Sequence, residues 1–538
     1  MGVDHKPPPK EVISRQIVVQ TNSLNTIEVP HDPHDLTVER WFDSTSLRKP
    51  TAGNLVDAFI DGGETFAKMA EAIESAVDST HYVYMLNWFI DLDLDLIPSR
   101  SPSAKLGDLL VTADQREVQV RGMFWDQIFR QNTDAVNKIN NLKHGAAILD
   151  NNTLNSTFPK SIAAKLVAIL GPGGFILSPA FNPSGSHHQK ILLVKGKEGL
   201  IGFCGGVDFN TDRVSTLSRR GDPLHDVHCR IEGPAAGDLL RIFVDRWTDH
   251  GDARVLDGKK GILLGLSEPQ PPPRGSAHVQ IGCTFGNGKK HAGVKNRFGG
   301  NFYSFAPDGE RTAFELISHA VKQAKRFIYI EDQYLVSLEL GVILQKQLSL
   351  VEFLVVLIPH SFISDHPHVW KMRKRVIDEL KKDPATKDKV VICSLTNFPG
   401  LPFKAVDTVQ NRNIHRHTYV HSKIIIIDDQ FAIIGSANSG RRSYTHDSEV
   451  VAGIADPSRA GGEDRSPTVH LAHQLRVRLW AEHLNMTEKA VFDPSAIIHW
   501  KSPPLTSRIR SYDENEDTDS LIGVNLLVTE VKAEPDGS

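Results

Sequence analysis

The stretch GGETFAKMAEAIESAVDSTHYVYMLNWFI from Gly62 returns in pattern as DGERTAFELISHAVKQAKRFIYIEDQYLV from Asp308. A chain carrying two copies of one unit is expected to fold as two like halves, and this restricts its topology more than any count of elements. In the first copy Phe66, Met69, Ala70, Ile73 and Val77 recur at helical spacing, and Tyr82, Val83, Tyr84 and Met85 then read as a buried strand. In the second, Phe314, Ile317, Val321 and Ala324 precede Phe327, Ile328, Tyr329 and Ile330 in the same order. Each copy runs on into a further strand, VQVRGMFWD from Val118 and EFLVVLIP from Glu352, so helices alternate with strands as in an α/β layered fold.

Proline-rich SEPQPPPRG, residues 267–275, cannot continue either kind of element and sets the expected boundary. The expected division is an N-terminal extension at 1–53, a first lobe at 54–266, a linker at 267–275, a second lobe at 276–505 and a partly disordered tail at 506–538. Both ends read as loose, since Pro7, Pro8 and Pro9 lie in the first and an acidic polar run starts at Tyr512 in the second.

Acidic and basic residues nearly cancel, 65 against 61, which disfavours a protein built to wrap nucleic-acid backbone. Cys204, Cys229, Cys283 and Cys393 stand singly in apolar runs without ligand spacing, as buried thiols in a reducing compartment would. No metal and no cofactor are expected. The apolar runs are of strand length, the N-terminus has no secretory pattern, and Lys6 stands where myristoylation favours Ser or Thr. The expectation is a cytoplasmic or peripherally membrane-bound chain, with export by a non-classical route left open.

Late in each half comes a strand headed by His, any residue, Lys: His188 and Lys190 in SHHQKILLVK, His421 and Lys423 in YVHSKIIIIDD. Residues two apart on a strand share a face, so each pair points one way. A turn of small residues follows, Gly205-Gly206 in one half and Gly435-Ser436-Ala437-Asn438 in the other, of the kind that lets backbone and short polar groups approach an anion. His187, next to His188, faces away and reads as a packed histidine. His415 and His417 read as entrance or solvated loop, and Trp88, Trp125 and Trp247 as core.

With these motifs, together with HDVHCRIEGPAAGDLLRIFVDRW, IYIEDQYL and IGSANSGRRSYTHDSEV, the chain closely resembles the phospholipase D superfamily from about Asn54 to Trp500, and its eukaryotic-type members most. The resemblance implies two similar α/β lobes, a mixed sheet flanked by helices in each, related by a pseudo-two-fold axis with the active site at their interface. It implies hydrolysis of glycerophospholipids, such as phosphatidylcholine or phosphatidylethanolamine, to phosphatidic acid, with possible transphosphatidylation. His188 would be the nucleophile that forms a phosphohistidine. His421 would protonate the leaving alcohol, and Lys190 and Lys423 would clamp the phosphate with Asn438, Ser436 and the Gly205-Gly206 backbone. Asp226 and Glu449 would each orient the histidine of the opposite lobe. Such a site meets the needs of phosphodiester cleavage, which are a nucleophile, a proton donor and positive charge around the phosphoryl oxygens.

The superfamily's motif aspartate is present as Asp428, which joins the catalytic set as a residue that is mainly structural in the family. Lys195 stands at the equivalent place in the first motif, and the Gly205 turn follows His188 at an interval three residues longer, so residues 195–199 are expected to form a longer turn. Runner-up readings are a cardiolipin-synthase-like phosphatidyl transfer or a nuclease on the same scaffold. A scaffold with a decayed site is disfavoured by HxK in both halves. The large N-terminal lipid-binding domains of the animal, fungal and plant enzymes are missing ahead of the first lobe, so a minimal catalytic core is expected. Partners are expected to be a phospholipid surface and no nucleic acid, with the chain monomeric because it holds both motifs. Phe398, Leu401, Phe403 and Lys404, among Pro399, Gly400 and Pro402, are expected to dip into the lipid interface.

Overall fold

The computed structural model describes residues 38–126, 131–150, 186–214, 224–286, 303–360, 367–396, 404–407, 412–415, 418–456 and 470–512. In the first half the strands are β1 (Thr51–Ile60), β2 (Tyr82–Asn87), β3 (Gln119–Trp125), β4 (Gly145–Asp150), β5 (Ile191–Gly196), β6 (Gly199–Gly205), β7 (Leu224–His225) and β8 (Val227–Glu232). The second half has β9 (Ala277–Thr284), β10 (Phe327–Glu331), β11 (Phe353–Leu357), β12 (Val390–Leu395), β13 (Lys404–Asp407), β14 (Arg412–His415), β15 (Tyr419–Val420), β16 (Ile424–Ile427), β17 (Phe431–Gly435), β18 (Glu449–Ala455) and β19 (Ile509–Ser511).

Fifteen of these form one sheet in the order β19-β12-β11-β10-β16-β17-β18-β9-β1-β8-β6-β5-β2-β3-β4. Read outward from the β9–β1 contact, the two sides repeat each other strand for strand, with β19 added at one end. In each side three strands run parallel, β2-β3-β4 and β10-β11-β12, where the helical crossovers fall, and the rest are antiparallel. β1 and β9 meet antiparallel, with Thr51 opposite Val279 and Asn54 opposite Ala277, so the repeat closes on itself as a two-fold arrangement does.

One face of the sheet carries a core drawn from both halves, with Trp247 on the helix Pro234–Asp249 and Trp480 on the helix Leu471–Leu484, both at zero exposure. The opposite face carries two separate cores, one per half. The shared core is why the halves pack as one body although the repeat divides them.

Several expectations are corrected here. The segment before Asn54 is packed from residue 38 on: Trp41 and Phe42 are buried, and Trp41 stacks on Phe431 of the second half with ring centroids 5.1 Å apart. β1 starts at Thr51, and Ile509–Ser511, placed in the tail by the sequence, extends the sheet beside β12. The extra residues of the first motif lengthen the strands and not the turn, since Gly196 pairs with Gly199 across Lys197 and Glu198 alone. Trp247 is core, whereas Trp88 and Trp125 are half-buried and stacked on each other at 5.6 Å. Among the described residues no helix is long and apolar enough to cross a membrane.

Candidate active site

Both His/Lys pairs lie in extended chain just ahead of the strands that the sequence assigned to them, β5 and β16. The His188 N–H donates to the carbonyl of Ser448 at 3.0 Å, and the His421 N–H to that of His225 at 2.7 Å. Ser448 immediately precedes Glu449, and His225 immediately precedes Asp226. Each motif is therefore pinned, by its backbone, beside the acid of the other half. The β-bridge His187–Ser448 and the short parallel pair β7–β15 complete the two crossings.

The side chains follow. His188 Nδ1 lies 2.9 Å from Glu449 Oε1, and His421 Nδ1 lies 2.7 Å from Asp226 Oδ2. Both carboxylates are at zero exposure. A carboxylate at Nδ1 fixes the ring and its tautomer, and leaves Nε2 as the nitrogen for chemistry. Lys190 Nζ reaches the His188 carbonyl at 2.9 Å and Asp208 Oδ2 at 3.1 Å. Lys423 Nζ bonds the His421 carbonyl and meets Gln333 Oε1 at 3.3 Å.

Burial governs the electrostatics, because charge is costly away from water. It holds both imidazoles well below their ordinary range, with the charges of Lys190 and Lys423 adding to the effect. Burial pushes the Glu449 carboxyl up to about 8 and Asp226 up to about 6, and brings Lys423 down to about 7. The site is thus a buried group of closely spaced ionisable side chains with shifted protonation, the setting in which proton transfer and anion binding are effective.

The small-residue turns make contacts of their own. The Gly206 N–H is spent on the Val227 carbonyl, and a Cβ at Gly206 would stand 1.9 Å from Asp226 Oδ1. Gly206 is glycine so that Asp226 can reach His421. Gly205 ends β6 opposite His228, against whose backbone a Cβ would press at 2.6 Å. Ser436 gives its N–H to the Val450 carbonyl and its hydroxyl to Glu449 Oε2 at 2.5 Å. Gly205, Gly206 and Ser436 are thus engaged with the sheet and the orienting acids. Asn438 is buried, and its Oδ1 has no hydrogen-bond partner among the described residues.

Asp428 is not in the site. It lies in the turn beyond β16 with φ +55°, and accepts the backbone N–H groups of Lys325, Arg326 and Phe327 at 2.8, 2.8 and 2.9 Å. Its place in the catalytic set is withdrawn, because it ties a turn at the far end of the strand. His187 is buried between Asp150 and Arg246, and burial lowers it to about 4. Phe398, Leu401, Phe403 and His417 lie outside the described residues, while Lys404 opens β13, which pairs with β14 at His415.

Sequence reasoning missed Asp208, the partner of Lys190. Aligning Gly205-Gly206-Val207-Asp208 with Gly435-Ser436-Ala437-Asn438 would have flagged it. It also missed a buried cluster in which His225, Glu331 and His483 bring three metal-type donor atoms within 4.8 Å of one another. Sequence spacing could not show this, because Glu331 stands 106 residues from His225 and 152 from His483. As they stand, these side chains form hydrogen bonds to the Glu331 carboxylate.

Fold and site together define a chain of two like α/β halves joined at one site, with each half's histidine held by the other's acid. A family model described as Phospholipase D matches residues 398–508. Phospholipase D alpha 3 of Arabidopsis thaliana is 24% identical over 82% of this chain and 66% of its own length. Phospholipase D alpha 2 of the same plant is 23% identical over 88% and 71%. The chain is thus similar to the phospholipase D superfamily, and the curated relatives it resembles here are plant enzymes. It spans about two thirds of the length of these relatives. Among solved structures, the phosphatidylserine synthase of Haemophilus influenzae Rd KW20 covers 80% of this chain at a TM-score of 0.45 and 11% identity.

Proposed function

We propose that the protein is a phospholipase D, a phosphodiesterase that hydrolyses glycerophospholipids to phosphatidic acid and the head-group alcohol. The observation that carries this reading is the crossed pair of hydrogen bonds, His188 to Glu449 and His421 to Asp226, with a lysine two residues from each histidine. In the first step His188 Nε2 donates its lone pair to phosphorus, the bond to the head-group oxygen breaks, and His421 gives that oxygen a proton. Glu449 accepts the Nδ1–H of the resulting phosphohistidine and balances its charge. In the second step His421 takes a proton from water, the new P–O bond forms, and the P–N bond breaks to restore His188.

Lys190 and Lys423 offset the negative charge on the phosphoryl oxygens. An anionic diester between them places negative charge beside both rings, which favours the imidazolium that His421 needs. With a primary alcohol in place of water the same second step is transphosphatidylation. A chain that holds both motifs needs no second copy for its site, and its lipid substrate makes peripheral contact with a bilayer part of the reading. Incubation with liposomes of defined composition, with and without ethanol, tests it: phosphatidic acid alone, or with phosphatidylethanol, is expected. Cleavage of single-stranded DNA without lipid turnover would replace it with a nuclease.

A further inference from the structure

Behind the two motifs the likeness of the halves breaks down. Gln189 and Ser422 stand at equivalent places between histidine and lysine, and Ser448 and His225 are equivalent as the residues whose carbonyls hold the opposite motif. In the first half these converge on a guanidinium. Arg246, 1% exposed, donates through Nη1 to Gln189 Oε1 at 2.5 Å and to Ser448 Oγ at 3.1 Å, and through Nη2 to Asp150. In the second they converge on a carboxylate. Glu331 Oε2 accepts Ser422 Oγ at 2.5 Å and His225 Nε2 at 2.8 Å, while Oε1 accepts Tyr329 OH at 2.6 Å and His483 Nε2 at 3.0 Å. His225 Nδ1 in turn faces Asp61 Oδ1 at 3.0 Å, and that same oxygen accepts the Asp226 N–H at 3.1 Å.

We propose that this buried layer assigns the roles of the two histidines: Glu331 is a positioning residue that makes His421 the proton carrier, and Arg246 leaves His188 the uncharged nucleophile. The inference deepens the phosphodiesterase reading above and rests on it. Glu331 acts through two routes, Ser422 beside His421 and His225 beside Asp226, so it fixes both members of the His421–Asp226 pair. Its charge is the second element. The Arg246 guanidinium is matched by the single carboxylate of Asp150, whereas Glu331 is held between two imidazoles, His225 and His483, with Asp61 on the far side of His225. A buried carboxylate layer stabilises a proton on a nearby imidazole, and a guanidinium layer opposes it. His421 is bonded to Asp226 and also feels the charges of Lys423, Arg213, Lys190 and His188, and Glu331 is the part of the setting with no counterpart in the other half.

The test uses the full chain with two substrates that share a short-chain phosphatidyl group, one with choline and one with p-nitrophenol as leaving group. Choline needs a proton to leave and p-nitrophenol does not. Glu331→Gln is expected to lower kcat on the choline ester at least tenfold more than on the p-nitrophenyl ester. Ser422→Ala, which removes one of four donors, is expected to shift the same ratio less and decides the matter if Glu331→Gln fails to fold. Gln189→Ala, the equivalent change on the Arg246 side, should lower both rates alike. Equal losses on both substrates in Glu331→Gln and Ser422→Ala, or a selective loss in Gln189→Ala, would overturn the assignment. So would one equivalent of divalent metal that copurifies with the wild type and is lost in Glu331→Gln, since the cluster would then be a metal site. If the wild type cleaves neither ester, the phosphodiesterase reading fails first and this inference with it.

Discussion

Gly206→Ala adds one methyl group at the point where the two halves exchange catalytic partners. The new carbon would lie 1.9 Å from Asp226 Oδ1, 2.8 Å from Cγ and 2.9 Å from Oδ2, against a limit of 3.0 Å that real Cβ contacts respect. The carboxylate must retreat by about 1 Å, and its 2.7 Å bond to His421 Nδ1 then stretches beyond hydrogen-bond range. A misplacement of about 1 Å costs about 10²-fold in rate, and loss of an orienting carboxylate in a His-based site about 10⁴-fold. The expected fall in kcat on a short-chain phosphatidylcholine lies between these bounds. Overpacking of this size costs about 1–3 kcal/mol, so the variant should fold. Gly202→Ala, within β6 just ahead of Gly206, is the control, since there the added carbon meets the flexible end of Leu239 at 2.8 Å. It should lose stability without the large fall in kcat. The assay is kcat for both variants beside their thermal midpoints. A Gly206→Ala protein with kcat within threefold of wild type would refute the claim that this glycine exists to admit Asp226.

Three further outcomes are expected. His188→Ala should form no phosphoenzyme, whereas His421→Ala should still form one from a p-nitrophenyl ester; a phosphohistidine trapped in the His188 variant by acid quench and mass spectrometry would reverse the roles. Burial lowers Lys423 to about 7 and raises Asp226 to about 6, so the lysine is charged below its value and the carboxylate above its own. It follows that kcat/KM should fall as pH rises through about 7, where Lys423 loses its charge; Lys423→Arg should move this alkaline limb upward, and a limb that stays in place would assign it elsewhere. Trp41→Ala removes a buried indole stacked on Phe431 and should cost about 3–5 kcal/mol in urea unfolding, with a loss under 1 kcal/mol refuting the packed role of that segment.

The amino-acid sequence by itself determined the repeat, the alternation of helix and strand, and the two His/Lys pairs, because each is a local pattern: periodicity within some thirty residues, or three residues at the head of an apolar run. It also held the candidates Asp226 and Glu449, whose pairing across the halves came from resemblance, since 195 residues separate Asp226 from His421 and 261 separate Glu449 from His188. Only the tertiary structure decided what these residues meet. Asp428 and Gly206 read alike from sequence as parts of a motif, yet one ties a turn and the other makes room for an acid, because a carboxylate takes its role from the backbone groups and side chains packed around it. An alignment of the two turns flags Asp208 but not its partner Lys190, and no spacing joins Glu331 to His225, Ser422 and His483. The β5–β6 pairing brings Asp208 to Lys190, closing the sheet at β1 and β9 brings His225 of one half to Glu331 of the other, and burial then favours pairing because an unpaired buried charge is costly.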